Sequence, residues 1–286
     1  MVKINNFIGS NENLKVISQM GNFTVFEHLQ DLSVSPHSAQ AGYFMSKMGC
    51  TAKQVLITLN DDAIRLKPGA MQMILGDISQ ETGVKGAGDF IGKALKAKVT
   101  GDNAIKPLYK GSGYIITEPT YAFPIIVNLA DWGGSVVCDD GMFICCDDEI
   151  KDKVVARTNI GSAIAGGEGL FNLCLEGSGH VVLNSSCPMK ELYEITLEND
   201  CIKIDGNNTV CWSRSLAFTV ERSGKSLIGS AASGEGLVNV YRGTGKILIA
   251  PLEGGGFTSS GITHTGESAS KSALVSSVSS VLDALS

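Results

Sequence analysis

Short apolar runs, rich in β-branched side chains, recur along the chain between Gly, Asn, Asp and Pro. Leu14–Met20 and Asn22–Leu29 come first. Gln54–Leu59 follows, and then Ile64–Leu75, which is divided by the Pro68-Gly69 pair. Ala122–Leu129, Ser135–Asp139, Met142–Cys146, Leu192–Leu197 and Leu216–Arg222 continue the series. Runs of this composition bounded by turn residues predict β-strands. Asn60-Asp61-Asp62 reads as a turn, Ser35–Ser38 as a turn or linker, and Asp139-Asp140-Gly141 as a hairpin connection. Two segments depart from the strand pattern. Phe90, Ile91, Ala94 and Leu95 have helical spacing within 85–98, with Asp89 placed to cap. Leu274, Val278, Val281, Leu282 and Leu285 share one helical face of 268–285. The expectation is an all-β chain with one short inserted helix and a C-terminal amphipathic helix.

One strand-bearing stretch recurs. Gly167-Glu168-Gly169-Leu170-Phe171-Asn172 leads to Gly177-Ser178-Gly179, and Gly234-Glu235-Gly236-Leu237-Val238-Asn239 leads to Gly243-Thr244-Gly245. A looser copy lies at Gly111-Ser112-Gly113. The leading glycines are evenly spaced, with 177 − 111 = 66 and 243 − 177 = 66. The same shift carries Asp139 onto Asp205, Ile144 onto Val210 and Cys145 onto Cys211. A fixed period of this size predicts a tandem array: three units of about 66 residues each. Units so small bury their strands poorly alone, so neighbours must share a core. The resulting organisation is an N-terminal extension, 1–52, that is partly β, a repeat-built domain, 53–255, and a Ser/Gly-rich tail, 256–286. Gly111, Gly113, Gly177, Gly179, Gly243 and Gly245 read as the turn residues of repeated hairpins.

Composition narrows the chemistry. Of 286 residues, 34 are Gly, which implies many tight turns. The net charge is −6, unlike a general phosphate-binding surface, so nucleic acid is not an expected partner. Eight cysteines without a Cys-x-x-Cys pair, and an opening too short and polar for a signal peptide, point to free thiols in a reducing, cytoplasmic compartment. No apolar run approaches the ~18 residues of a membrane span. His28, His37, His180 and His264 lack zinc spacing. Gly224-Lys225-Ser226 fails as a phosphate loop, since Thr219 stands where its first glycine belongs. The glycine pairs at 234–236 and 243–245 precede strands and not a dinucleotide-binding helix. No catalytic, cofactor-binding or metal-ligating residue stands out, and no cofactor is expected. Of the repeated polar residues, Glu168 and Glu235 read as acceptors from turn amides or as solvent-facing carboxylates, and Asn172 and Asn239 as hydrogen-bond partners of nearby backbone.

The repeated Gly-Glu-Gly-Leu motif, with Leu66–Met71 before it and Ala250-Pro251 after it, resembles the mitochondrial-biogenesis "altered inheritance of mitochondria" family across about 53–255. The resemblance implies a fold like the tryptophan RNA-binding attenuation protein, with antiparallel β-sandwich or jelly-roll-like units, often in homo-oligomers. It carries over no catalytic residue. Fungal members are linked to mitochondrial inner-membrane organisation, a role that does not transfer to a chain without a targeting segment.

The favoured expectation is a non-catalytic oligomeric β-scaffold or binding protein, with a trimer as the default oligomer and a possible association with a membrane complex. Segments 86–98 and 268–285 are its candidate contacts with a partner protein or membrane surface. RNA or small-ligand binding is the alternative, and an enzyme with an unrecognised site is the second alternative.

Overall fold

The computed structural model describes residues 3–82, 106–156, 171–205, 208–222 and 237–252. The first strands are β1 (Leu14–Met20) and β2 (Phe23–His28), followed by helix α1 (Ala39–Lys47). Next come β3 (Lys53–Leu66), β4 (Met71–Glu81), β5 (Leu108–Thr117), β6 (Phe123–Asn128) and β7 (Ser135–Cys138). β8 (Phe143–Asp147), β9 (Lys151–Ala156), β10 (Phe171–Glu176) and β11 (His180–Ser185) follow. The last are β12 (Tyr193–Asp205), β13 (Thr209–Ser213), β14 (Ala217–Arg222) and β15 (Leu237–Ile249). The fold is all-β. One antiparallel sheet runs β1-β2-β3-β8-β11-β6, with β5 also paired to β3 and β4 to β5. The other runs β12-β15-β13-β7-β10-β9, with β14 paired to β15.

The unbroken apolar runs have a packing cause. Ile125 and Val127 of β6 point into one core while Ile126 points into a second. Val181 and Leu183 of β11 likewise oppose Val182. In the other sheet, Leu173 and Leu175 enter the first core, and Cys174 between them enters a third. Strands buried on both faces need apolar residues at every position, so alternation disappears. β4 and β12 are the opposite case: most of their residues are exposed or half-buried.

The 66-residue recurrence is visible in strand positions. A shift of 66 carries β8 onto β13 (143 + 66 = 209) and β9 onto β14 (151 + 66 = 217). It also carries the start of β10 onto the start of β15 (171 + 66 = 237). Pairing order recurs with it. β5 lies between β3 and β4, as β15 lies between β12 and the β13–β14 segment. β10 and β11 lie between β7 and β9 and between β6 and β8.

Several sequence expectations need correction. The Gly-Ser-Gly and Gly-Thr-Gly triplets are not hairpin turns. Gly111 and Gly113 lie inside β5, and Gly243 and Gly245 lie inside β15. Only Gly177 and Gly179 lie outside strands, and there the chain passes from β10 in one sheet to β11 in the other. Within β5 the glycines serve close approach. A Cβ at Gly111 or Gly113 would overlap the carbonyl oxygen of Asp77 or Leu75 in β4. Asp139-Asp140-Gly141 is not a hairpin connection either, because β7 and β8 belong to different sheets. Asn60-Asp61-Asp62 does not end a strand. β3 continues through it with a register shift between Asn60 and Asp62, and Asp61 has φ 54°.

Pro68-Gly69 is a turn as expected. Ala70 N donates to Lys67 O at 3.1 Å, and Gly69 has φ 77°, as a type II turn requires. The strands of the N-terminal extension fall where expected and join the sheet. β2 pairs with β3, and Phe23 and Val25 enter the same core as Val55 and Ile57. Helix α1 was not expected. The predicted helices in 85–98 and 268–285 lie outside the described residues. Among the described residues no helix is long and apolar enough to cross a membrane.

Candidate functional site

Of the repeated polar residues, Asn172 and Asn239 are described, and they lie in different strands. Asn172 is buried in β10 and pairs in register with Val155. Asn239 is half-buried in β15, flanked by Ile204 and Val220. Glu168 and Glu235 lie outside the described residues. The charged residues that follow at the repeat spacing are Lys110, Glu176 and Arg242, of alternating sign. Glu176 accepts from Lys153 Nζ at 2.7 Å. Arg242 donates through Nη1 and Nη2 to Glu221 at 2.6 and 2.9 Å. The charges of Glu176 and Arg242 are taken up in local pairs.

The thiols are poorly placed for nucleophilic work. All eight cysteines are free, and Cys138, Cys145, Cys146, Cys174, Cys187 and Cys211 are buried. Cys145 and Cys146 are adjacent in β8 and face different cores. Burial pushes the Cys146 thiol up to about 12, and raises those of Cys145 and Cys211 strongly. A nucleophile needs the opposite shift. Among the described residues, no three His, Cys, Asp or Glu side chains gather in a metal-ligating group.

A shallow cleft of about 300 Å³ lies beside the 3-10 turn Leu129–Trp132. Trp132, Lys246, Glu194, Met20 and Met189 line it. The turn is set by Asn128, whose side chain accepts from Ala130 N at 3.1 Å, and it ends at Gly133 with φ 71°. Lys246 Nζ lies 2.8 Å from Glu194 Oε1 and 5.9 Å from the centre of the Trp132 ring. The cleft's cation is therefore already paired.

The feature with most capacity to act is the pair of long strands β4 and β12. β4 pairs with β5 along its length, and β12 pairs with β15 along its length. Neither has a second partner strand among the described residues. The unpaired side of such a strand is a row of backbone donors and acceptors able to take another chain. β1, β6, β9 and β14 also have one partner strand each among the described residues, while two internal junctions close comparable edges. The end of β3 pairs with β8, Ile64 with Asp147, Arg65 with Cys146 and Leu66 with Cys145. β7 pairs with β13, Val136 with Ser213, Val137 with Trp212 and Cys138 with Cys211. Sequence reading missed these edges, because apolar pattern alone does not say which strand lies beside which. The available signal was the polar alternation of 71–81 and 193–205 against the apolar runs of the central strands.

A family model described as Mitochondrial biogenesis AIM24 matches residues 45–252. An uncharacterised protein of Streptococcus pyogenes serotype M6 is 29% identical over 198 residues, covering 66% of this chain and 77% of that protein. A crystal structure of a Streptococcus pyogenes protein has a TM-score of 0.53 at 24% identity, covering 71% of this chain and 89% of the other. That last likeness is one of fold.

Proposed function

We propose, for a chain that belongs to the family described as Mitochondrial biogenesis AIM24, that it is a non-catalytic β-scaffold acting through contacts of its sheet edges with other polypeptides. The observation that carries this reading is the unpaired outer side of β4 and β12 in a fold that pairs its internal edges. The protonated buried thiols and the locally paired charges support it, since they leave little chemistry to recruit. They also weigh against an RNA surface, which would need free cations at repeated positions. A cytoplasmic location belongs to the same reading.

The test is the native size of the tagged protein in extracts of its own cells. Met73 is 41% exposed and Cys201 is exposed, so Met73→Lys and Cys201→Lys place a charge on each edge without touching a core. The wild type is expected in a species larger than one chain, and the variants, with unchanged melting, at the size of one chain. A wild type that runs as one chain, or variants that stay large, would overturn the reading.

A further inference from the structure

The two internal junctions act as a template for the edges that remain open. Take the strand in the place of β3, β7 or β12 as the first strand of a unit, and that in the place of β4, β8 or β13 as the second. At both internal junctions, the end of a first strand pairs antiparallel with the beginning of the next unit's second strand: β3 with β8, and β7 with β13. One first strand and one second strand are left over, β12 and β4.

The ladders fix which residues correspond. Across β5, β11 and β15, Ile74, Cys146 and Trp212 face Ile115, Val181 and Ile247, which are 66 apart. Likewise Ile64, Val136 and Ile202 face Tyr109, Leu175 and Tyr241, again 66 apart. Ile74 therefore stands where Cys146 and Trp212 stand, and Lys203 stands where Arg65 and Val137 stand.

We propose that the second half of β12 in one copy of this chain pairs antiparallel with the first half of β4 in another. Carrying the internal register over gives Met73 opposite Ile204, Ile74 opposite Lys203 and Leu75 opposite Ile202. This rests on the edge-scaffold reading and names its partner. The Met73–Ile204 pair is apolar, as its counterparts Cys145–Leu66 and Cys211–Cys138 are, and the Leu75–Ile202 pair is apolar where the template sets Asp147 against Ile64 and Ser213 against Val136. The cation in the middle has a precedent in Arg65, which sits opposite Cys146 and reaches Asp148 at 2.9 Å. Asp77 lies near the matching place for Lys203, since the 72-residue offset between Ile74 and Cys146 puts Gly76 at the position of Asp148. Met73, at 41% exposure, is a large apolar side chain that the pairing would cover. Each copy offers one edge of each kind, so the contact is heterologous, and repetition of it yields a closed ring or a filament.

The experiment uses the purified full chain with the two exposed cysteines changed, Cys50→Ser and Cys201→Ser. Leu75→Cys and Ile202→Cys are made separately in that background, then mixed and oxidised. Residues facing across an antiparallel ladder lie within disulfide reach. The expected product is a disulfide-linked dimer holding one chain of each variant, formed in the mixture and not by either variant alone. Sedimentation of the unmodified chain should show a species larger than one chain, which Met73→Lys returns to one chain. Absence of the mixed dimer, or an equal yield from each variant alone, overturns the proposal. If the purified chain sediments as one chain while the cellular species still depends on both edges, self-pairing fails and the scaffold reading stands. If the cellular species ignores the edges, that reading fails too.

Discussion

Gly111 in β5 lies so close to Asp77 in β4 that a Cβ on Gly111 would overlap the Asp77 carbonyl oxygen. Its φ of 140° is also one that L side chains rarely adopt. Backbone overlap and backbone strain therefore act together. Gly111→Ala should cost about 2–4 kcal/mol. Gly243 occupies the equivalent place in β15 at φ 123°, yet its nearest neighbour there is Ser215 O at 3.5 Å, an ordinary contact. Gly243→Ala should cost only the strain, about 1–2 kcal/mol. Urea unfolding of the two variants decides it, and equal losses would refute the close-approach argument.

Thiol labelling reads the core directly. Cys50 and Cys201 are exposed, and the other six cysteines are buried. A thiol-reactive reagent at neutral pH should modify two cysteines quickly in the native protein and all eight after denaturation. Cys145, Cys146 and Cys211 should be the slowest, because burial both blocks access and raises their pKa. Fast labelling of a third cysteine in the native state would show that one of the cores opens more readily than its packing implies.

Much of this fold was legible because its signals are local. The β-branched runs at 123–128, 135–138 and 181–183 give their strands within a residue or two, and Pro68-Gly69 gives its turn. The Gly-Ser-Gly triplets misled, because a glycine that turns a chain and a glycine that lets two backbones touch look alike in sequence. Only the position of β4 beside β5 separates the two roles. Helix α1 was invisible for a related reason. None of its residues is buried, so there was no apolar stripe to read, and Gly42 lowers its intrinsic propensity. The candidate edges were least legible of all. An edge is defined by a missing neighbour, and neighbours in a sheet are set by topology and not by the residues of the strand itself. The period of 66 was nevertheless present in the letters, and it is the basis on which the two edges are proposed as a matched pair.

The Arg242–Glu221 pair should leave a titration signature. Arg242 grips both carboxylate oxygens, and Thr219 Oγ1 donates to Oε1 at 2.8 Å. The Arg242 hydrogen bonds, then that of Thr219, hold the Glu221 carboxyl down at about 2, from an ordinary 4.5. A carboxyl depressed in the fold adds stability above its unfolded value of 4.5, and loses it as pH falls through about 2. The pair is at the surface, so the effect on stability is small and screened by salt. A carboxyl-carbon NMR titration is the sharper measure. Arg242→Gln should return Glu221 most of the way to 4.5, and an unmoved midpoint would mean that the pair does not hold in solution.

Lys53 gives the converse case. It opens β3 at 2% exposure, with Nζ donating to Thr51 O at 2.6 Å and lying 4.3 Å from the centre of the Phe123 ring. Burial pushes its pKa below the ordinary 10.5, against the opposing charges of Glu27 and Cys50. The folded chain thus releases this proton at a lower pH than the unfolded chain does. Between those two values the unfolded state holds more protons, so stability contributed by this group rises with pH as 10.5 is approached from below. Lys53→Met keeps a long apolar stem against Phe123 and removes the titrating group. Urea unfolding of both proteins from roughly pH 8 to 10.5 should show the wild type gaining on the variant as pH rises. A constant difference across that range would mean that Lys53 keeps its ordinary pKa in the fold, and that its ammonium is solvated in solution despite its buried position at the start of β3.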